Sequence, residues 1–178
     1  MSIGLKKDTV VLEPHSEAWD IEGRNICAKI KEILKDDVVD VQHVGSTSIQ
    51  GICAKPIIDV AVAVRSFDDI IKHNEELSGK GIVYRKQDIP GQHLYRSGDL
   101  DNNIVTHFIH VVIAGSDAWH NYINFRDYLN SHPEDAKRYE SLKKELWSKF
   151  PEDRDSYVDG KKELVTELLA KAKKWREG

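Results

Sequence analysis

The hydrophobic pattern divides the chain into a first part rich in strands and a second part made of helices. Short runs of β-branched and aromatic residues predict strands, whereas apolar residues spaced three and four positions apart predict helices. The predicted strands are Thr9–Leu12, Val38–Val44, Ile57–Val64, Ile82–Arg85, His93–Arg96 and Ile104–Ile113. The first predicted helix begins after Pro14 with Ser16 as its N-cap, and a short helix can begin at Gly45 to Ser48. The other predicted helices are Asp68–Leu77, Asp117–Ser131, Glu134–Phe150 and Ser156–Trp175.

This order of elements is typical of the α+β class. We predict a mixed sheet with flanking helices over about residues 1–115 and a helical part over about residues 116–178, together forming one domain. The 26 basic and 30 acidic residues leave a net charge of −4, which argues against a partner of duplex nucleic acid. The most apolar segment, Ile57–Val64, is too short to span a membrane. Since no stretch resembling a signal peptide opens the chain, we expect a cytoplasmic protein.

A glycine-serine pair and an isolated carboxylate form the first candidate site. Gly45 and Ser46 end one predicted strand, and Asp59 interrupts the next, which is otherwise apolar. Glycine lets a backbone approach a phosphate, and Ser46 and Thr47 supply hydroxyl groups near a helix start that favours anions. A carboxylate in an apolar strand needs a cation or several donors, and Mg²⁺ suits one carboxylate plus substrate phosphates. The alternative is a simple turn, with Asp59 paired to a lysine such as Lys55.

One basic residue interrupts the apolar stripe of each predicted C-terminal helix, namely Arg126, Lys143 and Lys161. A buried base costs free energy unless it is paired. The three side chains can reach the rim of their helices, make buried salt bridges in a protein-interaction domain, or share one anion pocket. Because the nearby acidic residues lie off these stripes, the salt bridges are the weakest interpretation.

Three histidines lie on or beside the predicted strands, His43, His107 and His110. Strand alternation places His107 and His110 on opposite faces, so His110 shares a face with Asp59 if their strands pair. There it can act as a general base, bind phosphate or ligate a metal ion. A hydrogen-bonded core histidine is the alternative for His43 and for His110.

Several spaced motifs resemble the GrpB family. The longest is His-Val-Gly-Ser-Thr-Ser-Ile-Gln-Gly-Ile-Cys-Ala-Lys-Pro-Ile-Ile-Asp, from His43 to Asp59. The others are Phe125–Leu129, His132–Glu134, Tyr139 with Lys143, and Tyr157 with Lys161. The order of these motifs matches the family from Thr9 to about Val165.

The resemblance implies a fold of the polymerase-β-like nucleotidyltransferase superfamily. In that superfamily a Gly-Ser pair at a strand end holds the nucleotide phosphates, and two carboxylates on the next strand bind metal. Gly45 and Ser46 match the pair, and Asp59 matches the first carboxylate. Ala61 stands where the second carboxylate is expected, which puts catalysis with two metal ions in doubt.

The resemblance also gives the basic residues a common role, because Arg126, Lys143 and Lys161 match positions of the family's C-terminal motif. Two hypotheses follow. One is a metal-dependent nucleotidyl- or phosphoryl-transferase that uses Mg²⁺ or Mn²⁺; the other is a non-catalytic module that binds a nucleotide or phosphorylated metabolite. In both, a small anionic ligand is the expected partner. The predicted site comprises Asp59 as metal ligand, Asp59 and His110 as catalytic groups, and Gly45, Ser46, Thr47, Lys55, Arg126, Lys143 and Lys161 around the phosphates.

Overall fold

A five-stranded mixed sheet organises the computed structural model, which describes residues 3–86 and 90–178. The strands in chain order are β1 Leu5–Lys6, β2 Val38–Val44, β3 Ile58–Val64, β4 Val83–Lys86, β5 Gln92–Ser97, β6 Ile104–Val105 and β7 His107–Ile113. The large sheet has the order β2-β3-β7-β5-β4, in which β3 and β7 run parallel and the other neighbours run antiparallel. The strands β1 and β6 pair separately.

Helices cover the sheet and form the second half of the chain. They are α1 Glu17–Leu34, α2 Asp68–Ile71, α3 Asn74–Gly79, α4 Asp117–Ser131, α5 Pro133–Lys149, α6 Arg154–Asp159 and α7 Lys162–Glu177, with one-turn 3₁₀ helices at Lys35–Asp37 and Ser46–Ser48. The predicted α+β class, with a mixed sheet, flanking helices and a C-terminal helical part, is confirmed. Within residues 3–86 and 90–178, no helix is long and apolar enough to cross a membrane.

The main core lies between α1 and one face of the sheet. Ser16 caps α1 by accepting from the Ala18 N–H, as predicted, and the buried side of α1 includes Trp19 and Ile30. The residues of β3 that pack into this core are Ile58, Val60, Val62 and Val64. Because side chains alternate along a strand, Asp59 and Ala61 project from the opposite face of the sheet. The C-terminal helices lie on that side.

Two predicted elements at the start of the chain differ from the structure. Thr9–Leu12 is not a strand; the Val10 N–H donates to the Pro151 carbonyl, and Val10 packs with Leu146. The apolar residues of this segment therefore anchor a loop on the C-terminal helices, with no strand beside them. The predicted helix Asp68–Leu77 is divided into α2 and α3. At the break, the side chain of His73 makes a hydrogen bond with Asp37.

Two later elements are interrupted because the chain changes its neighbours. The predicted strand Ile104–Ile113 breaks at Thr106, whose N–H donates to the Ser97 carbonyl. The part before the break pairs with β1, and the part after it pairs with β3 and β5. The predicted helix Ser156–Trp175 breaks at Gly160, where a side chain would collide with Leu146 of α5. This break separates α6 from α7 and positions Lys161 at their junction.

Candidate functional site

A cavity of about 590 Å³ lies between the sheet face that carries Asp59 and the C-terminal helices. Its wall combines strand residues, the turn after β2 and side chains of α4 to α7. Two of the residues predicted around the phosphates, Thr47 and Arg126, do not line the cavity. The predicted site residues that do line it are Gly45, Ser46, Lys55, Asp59, His110, Lys143 and Lys161.

Asp59 and His110 form a hydrogen-bonded pair on the floor of this cavity. The parallel register places Asp59 beside Phe108 and Ala61 beside His110, so the two polar side chains project from the same face. The Nε2 atom of His110 lies 3.0 Å from Asp59 Oδ1. Among the described residues, Asp59 Oδ2 has no hydrogen-bond partner, so this oxygen is available to a ligand.

Gly45 brings the backbone after β2 against this carboxylate. It has φ +73° and ψ −171°, a combination that essentially only glycine adopts. A Cβ atom at this position would lie 2.7 Å from Asp59 Oδ2. The next residue, Ser46, donates its hydroxyl to Tyr139 at 3.4 Å. Glycine is therefore required here by both its conformation and the closeness of Asp59.

Three lysines rest on tyrosine rings at the helical side of the cavity. The Nζ atoms of Lys55 and Lys161 lie 5.2 and 4.6 Å from the centre of the Tyr157 ring. The Nζ atom of Lys143 lies 4.7 Å from the centre of the Tyr139 ring. These contacts are attractive cation–π interactions, but they leave the ammonium hydrogens of Lys55 and Lys161 without acceptors among the described residues.

Burial makes two of these lysines easy to deprotonate. It lowers the pKa of Lys55 to about 7, and the positive charges of Arg154 and Lys161 act in the same direction. Burial also lowers the pKa of Lys143 to about 7, and Lys161 adds to this effect. Lys143 does have an acceptor, because its ammonium donates to the carbonyl of Cys53. An anion in the cavity would favour the charged form of both lysines.

Sequence reasoning missed Arg154, which also lines the cavity. Its guanidinium lies 5.2 Å from the centre of the Phe108 ring and makes no hydrogen bond or ion pair with the described residues. Burial lowers the pKa of Arg154, and Arg85 lowers it further. A signal existed, since Arg154, Tyr157 and Lys161 have helical spacing, but Arg154 precedes the predicted helix start at Ser156.

The described wall of the cavity therefore places several positive charges around the Asp59 carboxylate. Lys55, Lys143, Lys161, Arg154 and Arg85 contribute basic side chains to the wall, and Asp59 is the only carboxylate among its described lining residues. This excess is notable in a chain whose overall charge is −4. Such an arrangement suits a polyanionic ligand, because phosphate oxygens accept hydrogen bonds from several cations at once.

Thr47 and Arg126 lie behind the turn rather than in the cavity wall. The hydroxyl of Thr47 lies 2.9 Å from His43 Nε2, and Arg126 donates at 2.9 Å to the His43 carbonyl and to Gln42. The remaining side of the Arg126 guanidinium pairs with Asp127 at 2.8 Å. Burial lowers the pKa of His43 to about 4, so its ring is neutral. This network holds the turn from which Gly45 meets Asp59.

His107 and His110 lie on opposite faces of the sheet, as strand alternation predicts. His107 faces away from the cavity and pairs with Glu22 of α1 at 3.0 Å between Nε2 and Oε1. His110 faces the cavity, where its ring lies 5.1 Å from the ring of Tyr122. The Tyr122 hydroxyl in turn donates to Gln92 at 2.9 Å. A packed tyrosine therefore limits the movement of the His110 ring beside Asp59.

Comparison with known proteins identifies the family. The family model for GrpB protein matches residues 9–171. The chain belongs to the GrpB family. Glutamate-rich protein GrpB of Alkalihalophilus pseudofirmus is 42% identical over 170 residues, which cover 94% of this chain and 98% of that protein. UPF0157 protein YqkA of Bacillus subtilis is 33% identical over 93% of this chain, which spans 47% of YqkA.

Solved structures place the GrpB-family chain among nucleotidyltransferase-like folds. The crystal structure of GrpB from Enterococcus faecalis has a TM-score of 0.87 and 27% identity, covering 94% of this chain and all of that one. The Cid1 poly(U) polymerase has a TM-score of 0.52 at 16% identity, over 78% of this chain and 43% of the polymerase. At that identity the likeness to Cid1 concerns the fold alone. The predicted nucleotidyltransferase-like fold is thus confirmed, and the GrpB names assign no reaction.

Proposed function

We propose that this GrpB-family protein binds a nucleotide in the cavity and transfers a nucleotidyl or phosphoryl group to an acceptor, using one divalent ion. The observation that carries the proposal is that Asp59 is the single carboxylate among the described residues that line the cavity, and that their other charged side chains are basic. A structural ion pair does not explain this arrangement. Lys55, Lys161 and Arg154 have no carboxylate partner among the described residues, and buried cations without partners are costly.

The basic residues suit the phosphates of the nucleotide. Lys55 and Lys161 both contact the ring of Tyr157, and Lys143 is almost fully buried, with 1% of the residue exposed. Charge-assisted hydrogen bonds to phosphate would replace the hydrogen bonds to water that these cations lose on burial. Gly45 and Ser46, in the turn beside Asp59, suit the close approach of a phosphate to the backbone.

The donor atoms present fit one divalent ion and do not fit two. Asp59 Oδ2 is a hard oxygen ligand without a competing partner, while Ala61, at the expected position of a second carboxylate, is fully buried. No cluster of three or more metal-ligating side chains occurs within the described part of the chain. Mg²⁺ commonly binds through one or two carboxylates plus substrate phosphates. Such an ion supplies charge neutralisation at the phosphates, and Cid1 structures are described as bound to MgGTP and to Mg 3′-dATP.

The residues of this chain would position the reacting groups and accept one proton. For nucleotidyl transfer, an acceptor hydroxyl oxygen bonds to the α-phosphorus, and the bond to the bridging oxygen breaks, so that pyrophosphate leaves with its electron pair. The proton of the hydroxyl passes to Nδ1 of His110, whose Nε2–H donates to Asp59. Lys55, Lys143 and Lys161 stabilise the charge on the phosphates. Because Asp59 accepts from His110 Nε2, the basic nitrogen of the ring is Nδ1.

The test compares the wild type with Asp59→Asn, which keeps the size of the side chain and removes its charge. A panel of nucleoside triphosphates is titrated by calorimetry with and without Mg²⁺ or Mn²⁺, and pyrophosphate release is followed in parallel. We expect binding to strengthen with the metal in the wild type and to lose this dependence in Asp59→Asn. Asp36→Asn, an exposed site, is the matched control. Equal metal dependence in all three proteins would contradict the proposal.

A second candidate is a non-catalytic nucleotide- or phosphometabolite-binding module. Ala61 favours it, because the buried alanine leaves Asp59 without a second metal carboxylate on β3. The same assays separate the two candidates. Metal-dependent binding without pyrophosphate release or transfer of label, across the panel of triphosphates, supports the module; turnover supports the transferase.

A further inference from the structure

Four of the cavity cations form a row with Lys143 at one end and Arg154 at the other, and Arg85 also lines the wall, near Arg154. Lys143 is repelled most strongly by Lys161 and then by Lys55, and Lys55 is repelled most strongly by Arg154. Lys55 and Lys161 share the ring of Tyr157, so they occupy the middle. The ends of the row rest on different elements, because Lys143 belongs to α5 and packs on Tyr139, whereas Arg154 packs on β7.

Charge balance indicates that a nucleotide does not use the whole row. A nucleoside triphosphate with one divalent ion carries roughly two net negative charges, to which Asp59 adds one. Against these stand the positive charges of Lys55, Lys143, Lys161 and Arg154, whereas Arg85 is already engaged in an interaction of its own and is not counted. About one positive charge therefore remains for a second anionic group when the nucleotide is bound.

Arg154 is the base best placed to take that second group. It lies over Phe108, the residue that stands directly beside Asp59 in the β3–β7 register. Its guanidinium has no hydrogen-bond acceptor among the described residues, and its planar donors match a carboxylate or a phosphate in a two-bond geometry. A group bound there would lie near Asp59, whose negative charge favours the charged form of Arg154.

We infer that the acceptor is a small molecule bearing a phosphate or carboxylate group, which Arg154 binds while the acceptor hydroxyl faces Asp59 and His110. This inference rests on the proposed function, since it assumes that a nucleotide occupies the rest of the row. It predicts two anion sites in one cavity. Arg154 would bind the acceptor, and Lys143 would bind the nucleotide.

The experiment loads the full chain with a non-hydrolysable nucleoside triphosphate analogue and Mg²⁺, and then titrates inorganic phosphate or acetate by calorimetry. We expect one of these probes to bind the loaded protein, phosphate if the acceptor is phosphorylated and acetate if it is a carboxylate. Arg154→Gln should weaken that binding about tenfold, the usual loss for a charge-assisted hydrogen bond, and should leave the affinity for the analogue unchanged. Lys143→Gln should do the reverse.

The controls separate this inference from the proposed function. Arg24→Gln removes an exposed arginine of α1 and should change neither affinity, and Arg154→Lys keeps the charge but loses the planar pair of donors, giving an intermediate loss. If the analogue binds and neither probe binds the loaded protein, or if Arg154→Gln weakens the analogue as much as the probe, the inference is wrong and the nucleotide site stands. If the analogue itself does not bind, the proposed function is wrong, and the inference about the acceptor, which depends on it, is wrong as well.

Discussion

Replacing Lys143 by methionine should change how the stability of the protein depends on pH. The Lys143 side chain is 1% exposed and has Tyr139 beneath its ammonium group. Burial has the largest effect on its pKa, followed by repulsion from Lys161; Glu140 and Cys53 act in the opposite direction, and Lys55 adds a smaller repulsion. Together they lower its pKa from 10.5 to about 7. Methionine has a similar length and cannot be charged.

The sign and size of the effect follow from proton linkage. Between pH 7 and 10.5 the unfolded chain keeps a proton on Lys143 that the folded protein has released, so the free energy of unfolding rises with pH. Integrating this difference from pH 7 to pH 9 gives a gain of about 2 kcal/mol from this lysine. The window ends near pH 9 because the Cys27 thiol acts oppositely above it, since burial raises its pKa from 9.0 to about 11.

The measurement is urea denaturation followed by tryptophan fluorescence at pH 7, 8 and 9. The wild type should gain stability over this range, and Lys143→Met should gain about 2 kcal/mol less. The slope is the informative quantity, because the substitution also removes the donor to the Cys53 carbonyl at every pH. Lys173→Met, at an exposed position of α7, should keep the wild-type slope. Equal slopes in the wild type and Lys143→Met would show that Lys143 is not a desolvated amine.

Two further substitutions test the turn beside Asp59. Gly45→Ala should destabilise the protein by about 1–3 kcal/mol and abolish metal-dependent nucleotide binding. Gly51→Ala, also at positive φ but with open space around it, should affect stability alone. Thermal denaturation and calorimetry compare the two variants, and equal nucleotide affinities would refute the role of Gly45. Arg126→Met removes the side-chain donor to the His43 carbonyl and to Gln42 and should cost about 1–3 kcal/mol while weakening nucleotide binding from outside the cavity. Unchanged affinity in a folded Arg126→Met protein would show that this support is not needed.

The regular elements and the family were predictable because their signals are local. The strand Val38–Val44 has the predicted bounds, and Ser16 caps α1 as its position indicates. The pairing of Asp59 with His110 depended on the alternation of side chains and on adjacent strands, and the parallel register of β3 and β7 supplies both. Errors arose where chain segments met distant neighbours, as at Thr9–Leu12, which lies against the C-terminal helices.

The basic residues show what the sequence by itself determined and what needed the tertiary structure. Helical spacing correctly indicated that Arg126, Lys143 and Lys161 depart from apolar stripes, but spacing reports only that a side chain faces its neighbours. Which neighbour it meets depends on packing between elements far apart in the chain. Arg126 meets the His43 carbonyl near the end of β2, whereas Arg154, just outside the predicted helix, reaches the cavity. The sequence thus determined the elements, the family and the carboxylate, and tertiary packing decided which cations surround it.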